Sequence, residues 1–201
     1  MIKTRFNGLL PIVIDIETGG VDCRKSAILE IAAIGINHNQ QGFFCEKKIW
    51  HEHIKPFEGS LCCPESLEFN NIIPDHPLRF AISEKEALLS LANQIKLWLE
   101  NTTCKRAVLV GHNAHFDLNF IMQAIERQNI AHFPLHSFTC IDTATLGGFL
   151  YKKTVLAQIM RKAKIKFNTN EAHGALYDAK KTAELFCAML NNFKDQQYKE
   201  A

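Results

Sequence analysis

The fold is best predicted from the segment Ile12-Val13-Ile14-Asp15-Ile16-Glu17, which is followed by the turn residues Thr18-Gly19-Gly20. A run of β-branched apolar residues is typical of a strand that is buried on both faces. Side chains two residues apart on a strand lie on the same face, so the carboxylates of Asp15 and Glu17 point in one direction. Burying an unpaired carboxylate is costly. The strand therefore predicts a compensating cation for Asp15, although a salt bridge or a capping acid is the simpler interpretation of such a pair alone.

The elements that follow this strand indicate an α/β protein. Strands are expected over 28–36 and 42–50, which would form an antiparallel meander with the first strand. Helices and short apolar strands then alternate: helices at about 84–100, 117–128, 143–150, 154–164 and 175–193, and strands at 107–110 and 138–141. Such an order predicts a mixed β-sheet flanked by helices. The irregular stretch 51–83 is long for a loop, so we expect it to be functional or to contain a short helix.

Length and composition limit the class of protein. With 201 residues, 47% of them hydrophobic and 22% charged, the chain is expected to fold as a single domain spanning 1–201, with a frayed polar tail from about 195. A net charge of +2 neither indicates nor excludes a nucleic-acid partner. No apolar run reaches the length of a membrane helix, and the short run 9–14 lacks the features of a signal peptide. Seven cysteines without a CxxC pair favour reduced thiols and a cytoplasmic location.

Three further polar residues stand near the ends of predicted elements. Asp117 follows the segment His112-Asn113-Ala114-His115-Phe116 at the start of a helix, where an acid is favoured by the helix dipole in any case. His173 and Asp178 are separated by about 500° on a helix, so they cooperate only if His173 lies on the loop before it. Four carboxylates that converge would suit hard divalent cations. Two such ions and one imidazole base could hydrolyse a phosphodiester.

These segments resemble the three motifs of the DEDDh 3′→5′ exonucleases, a family with a ribonuclease H-like fold. The similarity extends over about 5–193, nearly the whole chain. It implies a metal-dependent hydrolase that uses two Mg²⁺ ions per active site, for which Mn²⁺ substitutes, and that releases nucleoside 5′-monophosphates. By this resemblance the metal ligands would be Asp15, Glu17, Asp117 and Asp178, and the general base would be His173.

Within this family the chain is most similar to the enzymes that trim the 3′ ends of tRNA and other stable RNAs. The similar stretches include Arg5-Phe6, Leu29-Glu30-Ile31-Ala32-Ala33-Ile34, Pro64-Glu65-Ser66-Leu67-Glu68-Phe69-Asn70 and Ala172-His173-Gly174-Ala175. The resemblance implies an RNA substrate with a short single-stranded 3′ end, activity on single-stranded DNA as well, and a homodimer. In the dimer, a basic patch on one subunit would serve the active site of the other, and Arg5 and Arg106 match positions of that patch.

The same resemblance assigns substrate contacts. Thr18 would hold the terminal 3′-OH, although it is equally well explained as a turn residue, and Glu65 would hydrogen-bond the penultimate base. Stacking on unpaired bases, worth about 1–3 kcal/mol per base, would come from three phenylalanines: Phe69, Phe116 and Phe138. Val21 stands where the family usually has another phenylalanine, so this wall of the site departs from the family pattern.

Two other functions compete with this hypothesis. A proofreading or DNA-repair exonuclease would share the same acids, whereas a non-catalytic RNA-binding module is a distant alternative because such modules lose them. The run 152–166 holds six cations and no acid, which fits a phosphate track or a solvated helix face. The segment His51-Glu52-His53 could bind a metal, but two imidazoles on an exposed strand face are the simpler interpretation.

Overall fold

The computed structural model describes residues 2–169 and 171–197. Its strands are β1 (Leu9–Thr18), β2 (Ile28–His38), β3 (Phe44–His53), β4 (Arg106–Gly111) and β5 (Leu135–Asp142). They form a five-stranded sheet in the order β3-β2-β1-β4-β5. β2 is antiparallel to β1 and β3, β4 is parallel to β1, and β5 is parallel to β4. The predicted antiparallel meander and mixed sheet are confirmed.

Helices flank this sheet, and the five that begin at Glu84 or later lie where the sequence predicts them, whereas the short helix at the start of the chain was not predicted. They are α1 (Ile2–Arg5), α2 (Pro64–Asn70), α3 (Glu84–Glu100), α4 (His115–Arg127), α5 (Thr143–Tyr151), α6 (Leu156–Lys162) and α7 (Ala175–Gln197). The start of α3 is fixed by a capping box between Ser83 and Glu86. The irregular stretch contains α2, as expected of a loop of that length. Of the polar tail expected from about 195, α7 includes the part up to Gln197, and 198–201 lie outside the described residues.

The core is built around β1 and the helix that crosses the meander. Positions 12–14 of β1 are completely buried, as their β-branched side chains predict. α7 packs against β1, β2 and β3. Its fully buried Ala175, Ala179 and Ala183 are spaced by four residues, so they form one row of small side chains that allows a close approach to the sheet. The first turn of α7 therefore lies near β1.

Two expectations about the chain as a whole can be compared with the structure. All seven cysteines are free thiols. Across residues 2–169 and 171–197, no helix combines the length and the apolar character needed to traverse a bilayer.

Candidate active site

The four predicted metal ligands meet in one pocket, here called the acidic pocket. β1 contributes Asp15 and Glu17, the first turn of α4 contributes Asp117, and the first turn of α7 contributes Asp178. Carboxylate oxygens of Asp15, Glu17 and Asp178 lie within 4.8 Å of one another. An oxygen of Asp117 accepts a hydrogen bond of 3.1 Å from the backbone N–H of Ile16. The fold thus brings together acids that are far apart in the sequence.

The approach of α4 to β1 depends on a glycine at the end of β4. Because β4 runs parallel to β1 and beside it, the chain that leaves β4 emerges next to the end of β1. A Cβ atom on Gly111 would lie 3.2 Å from Ala114 and 3.4 Å from Oδ2 of Asp117. A side chain at this position would displace the start of α4. Gly111 therefore lets the carboxylate of Asp117 lie against the backbone of β1.

His173 lies on the loop that leads into α7, as its spacing from Asp178 requires. Its backbone adopts the left-handed conformation, with a φ of 71°. Its backbone N–H donates a hydrogen bond of 2.9 Å to Oδ2 of Asp178, which ties the loop to the first turn of the helix. The imidazole packs on the ring of Phe69, with 4.1 Å between the ring centroids. These contacts place the imidazole at the edge of the acidic pocket.

Among the described residues, no lysine or arginine lines the acidic pocket. Burial, followed by the charge of Asp178, raises the pKa of Glu17 to about 8. Burial also raises the pKa of Asp117 to about 8. Burial and then the charge of Asp117 hold the pKa of Asp15 well above its usual range, and burial raises the pKa of Asp178. Since like charges in a poorly solvated site disfavour ionisation, a cation is needed before all four acids can be charged near neutral pH.

One buried oxygen of the acidic pocket has no hydrogen-bond partner. Oδ2 of Asp178 accepts from His173, but Oδ1 is buried and receives no hydrogen bond from any described residue. Buried carboxylate oxygens are almost always satisfied, so this atom calls for a ligand. Carboxylate oxygens are the donors that hard divalent cations prefer. The residues present therefore fit a divalent metal.

A second pocket, here called the base pocket, adjoins the acidic pocket. Val21 and Asn70 line this pocket. Four of the predicted substrate residues also line it: Thr18, Glu65, Phe69 and Phe116. The hydroxyl of Thr18 donates to the carbonyl of Gly20 over 2.7 Å, and the side chain of Asn70 donates to the carbonyl of Thr18 over 3.0 Å. Thr18 therefore stabilises the turn after β1 and also lines the base pocket.

The base pocket contains exposed apolar surface. Phe69, on α2, is 63% exposed, and Val21, after the glycine turn, is 85% exposed. Phe69 and Phe116 line both the base pocket and the acidic pocket, so they mark the boundary between the two. Flat aromatic surface that is open to solvent beside the acids is suited to stacking on an unpaired base.

Three predicted substrate residues do not line either pocket. Phe138 lies on the edge strand β5, where it is 80% exposed and packs edge-on against His136. The guanidinium of Arg5 lies 5.7 Å from the centre of the Phe44 ring. Arg106 is the cross-strand partner of Leu9, the first residue of β1, and a rise of about 3.3 Å per residue places it roughly 20 Å along the sheet from Asp15. Both arginines therefore lie at the opposite end of the sheet from the acids.

Three polar residues to which the sequence assigned no role also line the acidic pocket. They are His112, Asn113 and His115, which precede or begin α4. His112 hydrogen-bonds the hydroxyl of Thr143 through Nδ1 over 3.0 Å, and His115 is exposed at the first position of the helix. The motif that contains Asp117 was the available signal, because its other polar residues reach the same pocket when the acid does.

Comparison with known proteins agrees with this geometry. The family model described as Exonuclease (RNase T) matches residues 12–186. A ribonuclease T from Baumannia cicadellinicola subsp. Homalodisca coagulata is 47% identical over 193 residues, covering 96% of this chain and 88% of the relative. A ribonuclease T from Actinobacillus pleuropneumoniae serotype 5b (strain L20) is 45% identical over 194 residues, covering 96% of this chain and 89% of the relative.

A solved structure shares the fold. It is the nuclease domain of 3′hExo, described as a DEDDh family member bound to rAMP. It superposes with a TM-score of 0.71 at 16% sequence identity, covering 90% of this chain and 92% of that domain. The ribonuclease H-like fold that the motifs implied is thereby confirmed. The chain belongs to the ribonuclease T family of exonucleases, and it is a metal-dependent 3′→5′ exonuclease.

Proposed function

We propose that this enzyme trims the 3′ ends of tRNA and other stable RNAs and releases nucleoside 5′-monophosphates. The observation that carries this proposal is the junction of the acidic pocket with the base pocket at Phe69 and Phe116. Groups suited to phosphodiester chemistry lie beside aromatic surface suited to an unpaired base. The relatives named ribonuclease T support RNA as the substrate. Single-stranded DNA would also be cleaved, because hydrolysis at a metal centre does not require the 2′-OH.

The acidic pocket would hold two Mg²⁺ ions, for which Mn²⁺ would substitute. The ligands would be the four carboxylates, including Oδ1 of Asp178, which receives no hydrogen bond from the described residues. When bound, such ions lower the pKa of a water molecule and stabilise the charge that develops on the phosphate. The raised pKa values of the acids support a site that is completed by cations.

His173 would act as the general base. An imidazole is suited to this role near neutral pH, and a ring nitrogen of His173 would take the proton of the attacking water. The hydrogen bond from its backbone to Asp178 keeps the loop beside the acids, and the ring of Phe69 restricts the imidazole from the other side. Both contacts favour an imidazole that is already in place when the substrate arrives.

The base pocket would bind the last two nucleotides. Phe69 and Phe116 would stack on the bases, Glu65 would hydrogen-bond the penultimate base, and Thr18 with the neighbouring backbone would hold the 3′-OH. Phe138 would add a further stacking surface from β5, outside the pocket. Val21 is an aliphatic side chain on the wall of the base pocket, so base discrimination there would be weaker than with an aromatic ring.

We further propose that one exonuclease domain per subunit works within a cytoplasmic homodimer. Arg5 and Arg106 are too far from the acidic pocket of their own subunit to guide RNA into it, but they could guide RNA into the pocket of a second copy. Six further cations lie exposed around α6 and could extend this track along the phosphates: Lys152, Lys153, Arg161, Lys162, Lys164 and Lys166. Free cysteines support a reducing compartment.

A mixing experiment tests the shared site. Subunits with Asp178→Asn retain the arginines, and subunits with Arg5→Ala and Arg106→Ala retain the acids. If the patch of one subunit serves the other, mixed dimers contain one complete site, and at subsaturating RNA the mixture is more active than the sum of its two components. A mixture whose activity equals that sum would contradict the shared patch. So would a fully active wild-type protein that light scattering shows to be a monomer.

The proposed function is tested with 3′-labelled tRNA that carries a short single-stranded tail. We expect release of the labelled terminal nucleoside 5′-monophosphate, which EDTA abolishes and excess Mg²⁺ restores. Parallel reactions use DNA tails of the same sequence, both paired and mispaired with a template. Faster cleavage of RNA tails than of DNA tails would support a function in RNA maturation. A strong preference for mispaired DNA would instead support a function in proofreading.

A further inference from the structure

A second group of metal-binding side chains lies on β2 and β3, outside the acidic pocket. Glu30, His51 and His53 each present one ligand atom, and these atoms lie within 4.8 Å of one another. His51 and His53 are two residues apart on β3, and Glu30 is the cross-strand partner of His53. The three side chains therefore share one face of the sheet. The interpretation of the two imidazoles as an exposed pair is wrong, because Glu30 is buried and both histidines are half-buried beside it.

The contacts within this cluster leave coordination capacity open. Nε2 of His51 lies 2.7 Å from Oε1 of Glu30. The rings of His51 and His53 meet edge to face, with 4.9 Å between their centroids. Nδ1 of His53 is buried and has no hydrogen-bond partner among the described residues. A buried ring nitrogen without a partner is uncommon in folded proteins, and a coordinated metal fixes the tautomer and surroundings of an imidazole.

The donor set differs in kind from that of the acidic pocket. Two imidazole nitrogens and one carboxylate oxygen suit Zn²⁺ and similar transition metals, whereas Mg²⁺ prefers oxygen ligands. Bond lengths of about 2.0–2.2 Å place the ligands of a tetrahedral Zn²⁺ ion roughly 3.3–3.6 Å apart, so small side-chain rotations would close this cluster around an ion. The side chain of His51 is 24% exposed, which gives an ion access and leaves a fourth position for water.

We propose that Glu30, His51 and His53 form a binding site for one transition-metal ion of the Zn²⁺ class. The site is distinct from the acidic pocket, with which it shares no residue. It is nevertheless adjacent, because Glu30 is the cross-strand partner of Glu17 on β1. The proposal goes beyond the exonuclease function and does not depend on it.

The test measures metal binding rather than RNA cleavage. Metal-stripped protein is titrated with Zn²⁺ by calorimetry in a large excess of Mg²⁺, and with Co²⁺ by visible absorption. We expect one tight Zn²⁺ per chain, retained in Asp178→Asn, and a Co²⁺ spectrum without the thiolate charge-transfer bands that cysteine ligands would give. Removing a residue that hydrogen-bonds a metal ligand weakens metal binding about 10- to 100-fold. His51→Gln and His53→Gln remove ligands themselves, so each should weaken Zn²⁺ binding about 100-fold or more.

His132→Gln is the matched control, because this histidine is exposed in the loop before β5. It should bind Zn²⁺ as the wild type does. His53→Gln keeps the test informative if His51→Gln fails to fold, because His53 contributes no ion pair to the described structure, and circular dichroism confirms that the variant is folded. Equal Zn²⁺ affinity in wild type and His53→Gln, no tight Zn²⁺ in the wild type, or loss of Zn²⁺ only in Asp178→Asn would each overturn the proposal.

Discussion

The two ends of the sheet carry opposite charge in opposite surroundings. At one end, the four acids of the acidic pocket lie close together, and burial raises their pKa values. At the other end, Arg5 and Arg106 are exposed to water. A buried cluster of like charges requires counter-ions held in place, whereas exposed cations attract phosphate weakly and in a salt-dependent way. We therefore assign the chemistry to the acidic end and propose that the basic end tethers RNA.

The largest effect is expected at the acidic end. Asp178→Asn removes a charge and a proposed metal ligand with little change in shape. Loss of metal-assisted catalysis is worth several kcal/mol, so nucleotide release should slow by about 10,000-fold, while RNA binding persists. Release is measured with 3′-labelled RNA, and binding by fluorescence anisotropy in Ca²⁺. Asp75→Asn, which alters an exposed carboxylate outside both pockets, is the control. Unchanged release in Asp178→Asn would remove this residue from the reaction.

The general base should matter next. Proton transfer by a positioned side chain contributes about 100-fold or more to the rate, so His173→Gln should lower kcat by that factor and leave KM nearly unchanged. His132→Gln serves as the control for removal of an exposed histidine. A His173→Gln enzyme with the wild-type kcat would assign the proton to another group.

The basic end should affect affinity and not chemistry. Each lost phosphate contact reduces the slope of log affinity against log salt by about 1, so Arg5→Ala with Arg106→Ala should reduce it by about 2. Affinity for RNA at low salt should fall about tenfold, with kcat unchanged at saturating RNA. Lys85→Ala, on the exposed surface of α3, is a matched loss of charge. A lower kcat at saturation would place the arginines in the chemistry instead.

The last prediction concerns stability without metal. The folded protein holds protons on Glu17 and Asp117 up to about pH 8, whereas their ordinary pKa values are 4.5 and 3.8. Between these limits the folded state binds more protons than the unfolded state, so the free energy of unfolding falls as pH rises. In EDTA the melting temperature should drop by about 2–4 °C for each kcal/mol lost, and Mg²⁺ should restore it most near pH 8. A melting temperature that rises over this interval in EDTA would contradict the raised pKa values.

Local patterns in the sequence were sufficient for the strands of the meander and for the position of His173 relative to Asp178, whereas the set of four acids was predicted from the resemblance to a family. The β-branched run at 12–16 predicts a buried strand because a continuous run of such residues is typical of strands that are buried on both faces. The five-residue spacing of His173 and Asp178 predicts a loop residue beside a helix residue, which the structure confirms. Both inferences concern residues that are only a few positions apart in the sequence. Over such short separations, local backbone geometry determines where the side chains point.

Properties that depend on packing between distant elements could not be predicted in this way. The position of Arg106 at the far end of the sheet follows from the register of β4 against β1. The burial of Glu30 beside His51 follows from the packing of α7 over β2 and β3. The exposure of Phe138 follows from the place of β5 at the sheet edge. Neither register nor strand order is encoded in the residues immediately around these positions.

We propose that the acidic pocket is completed by a pair of divalent cations. The number and position of Mn²⁺ ions, from calorimetry and from anomalous diffraction of Mn²⁺-soaked crystals, test this proposal. We predict two Mn²⁺ ions among Asp15, Glu17, Asp117 and Asp178, and loss of both in Asp15→Asn. A pocket that binds no Mn²⁺, or that binds the same two ions after Asp15→Asn, would contradict it.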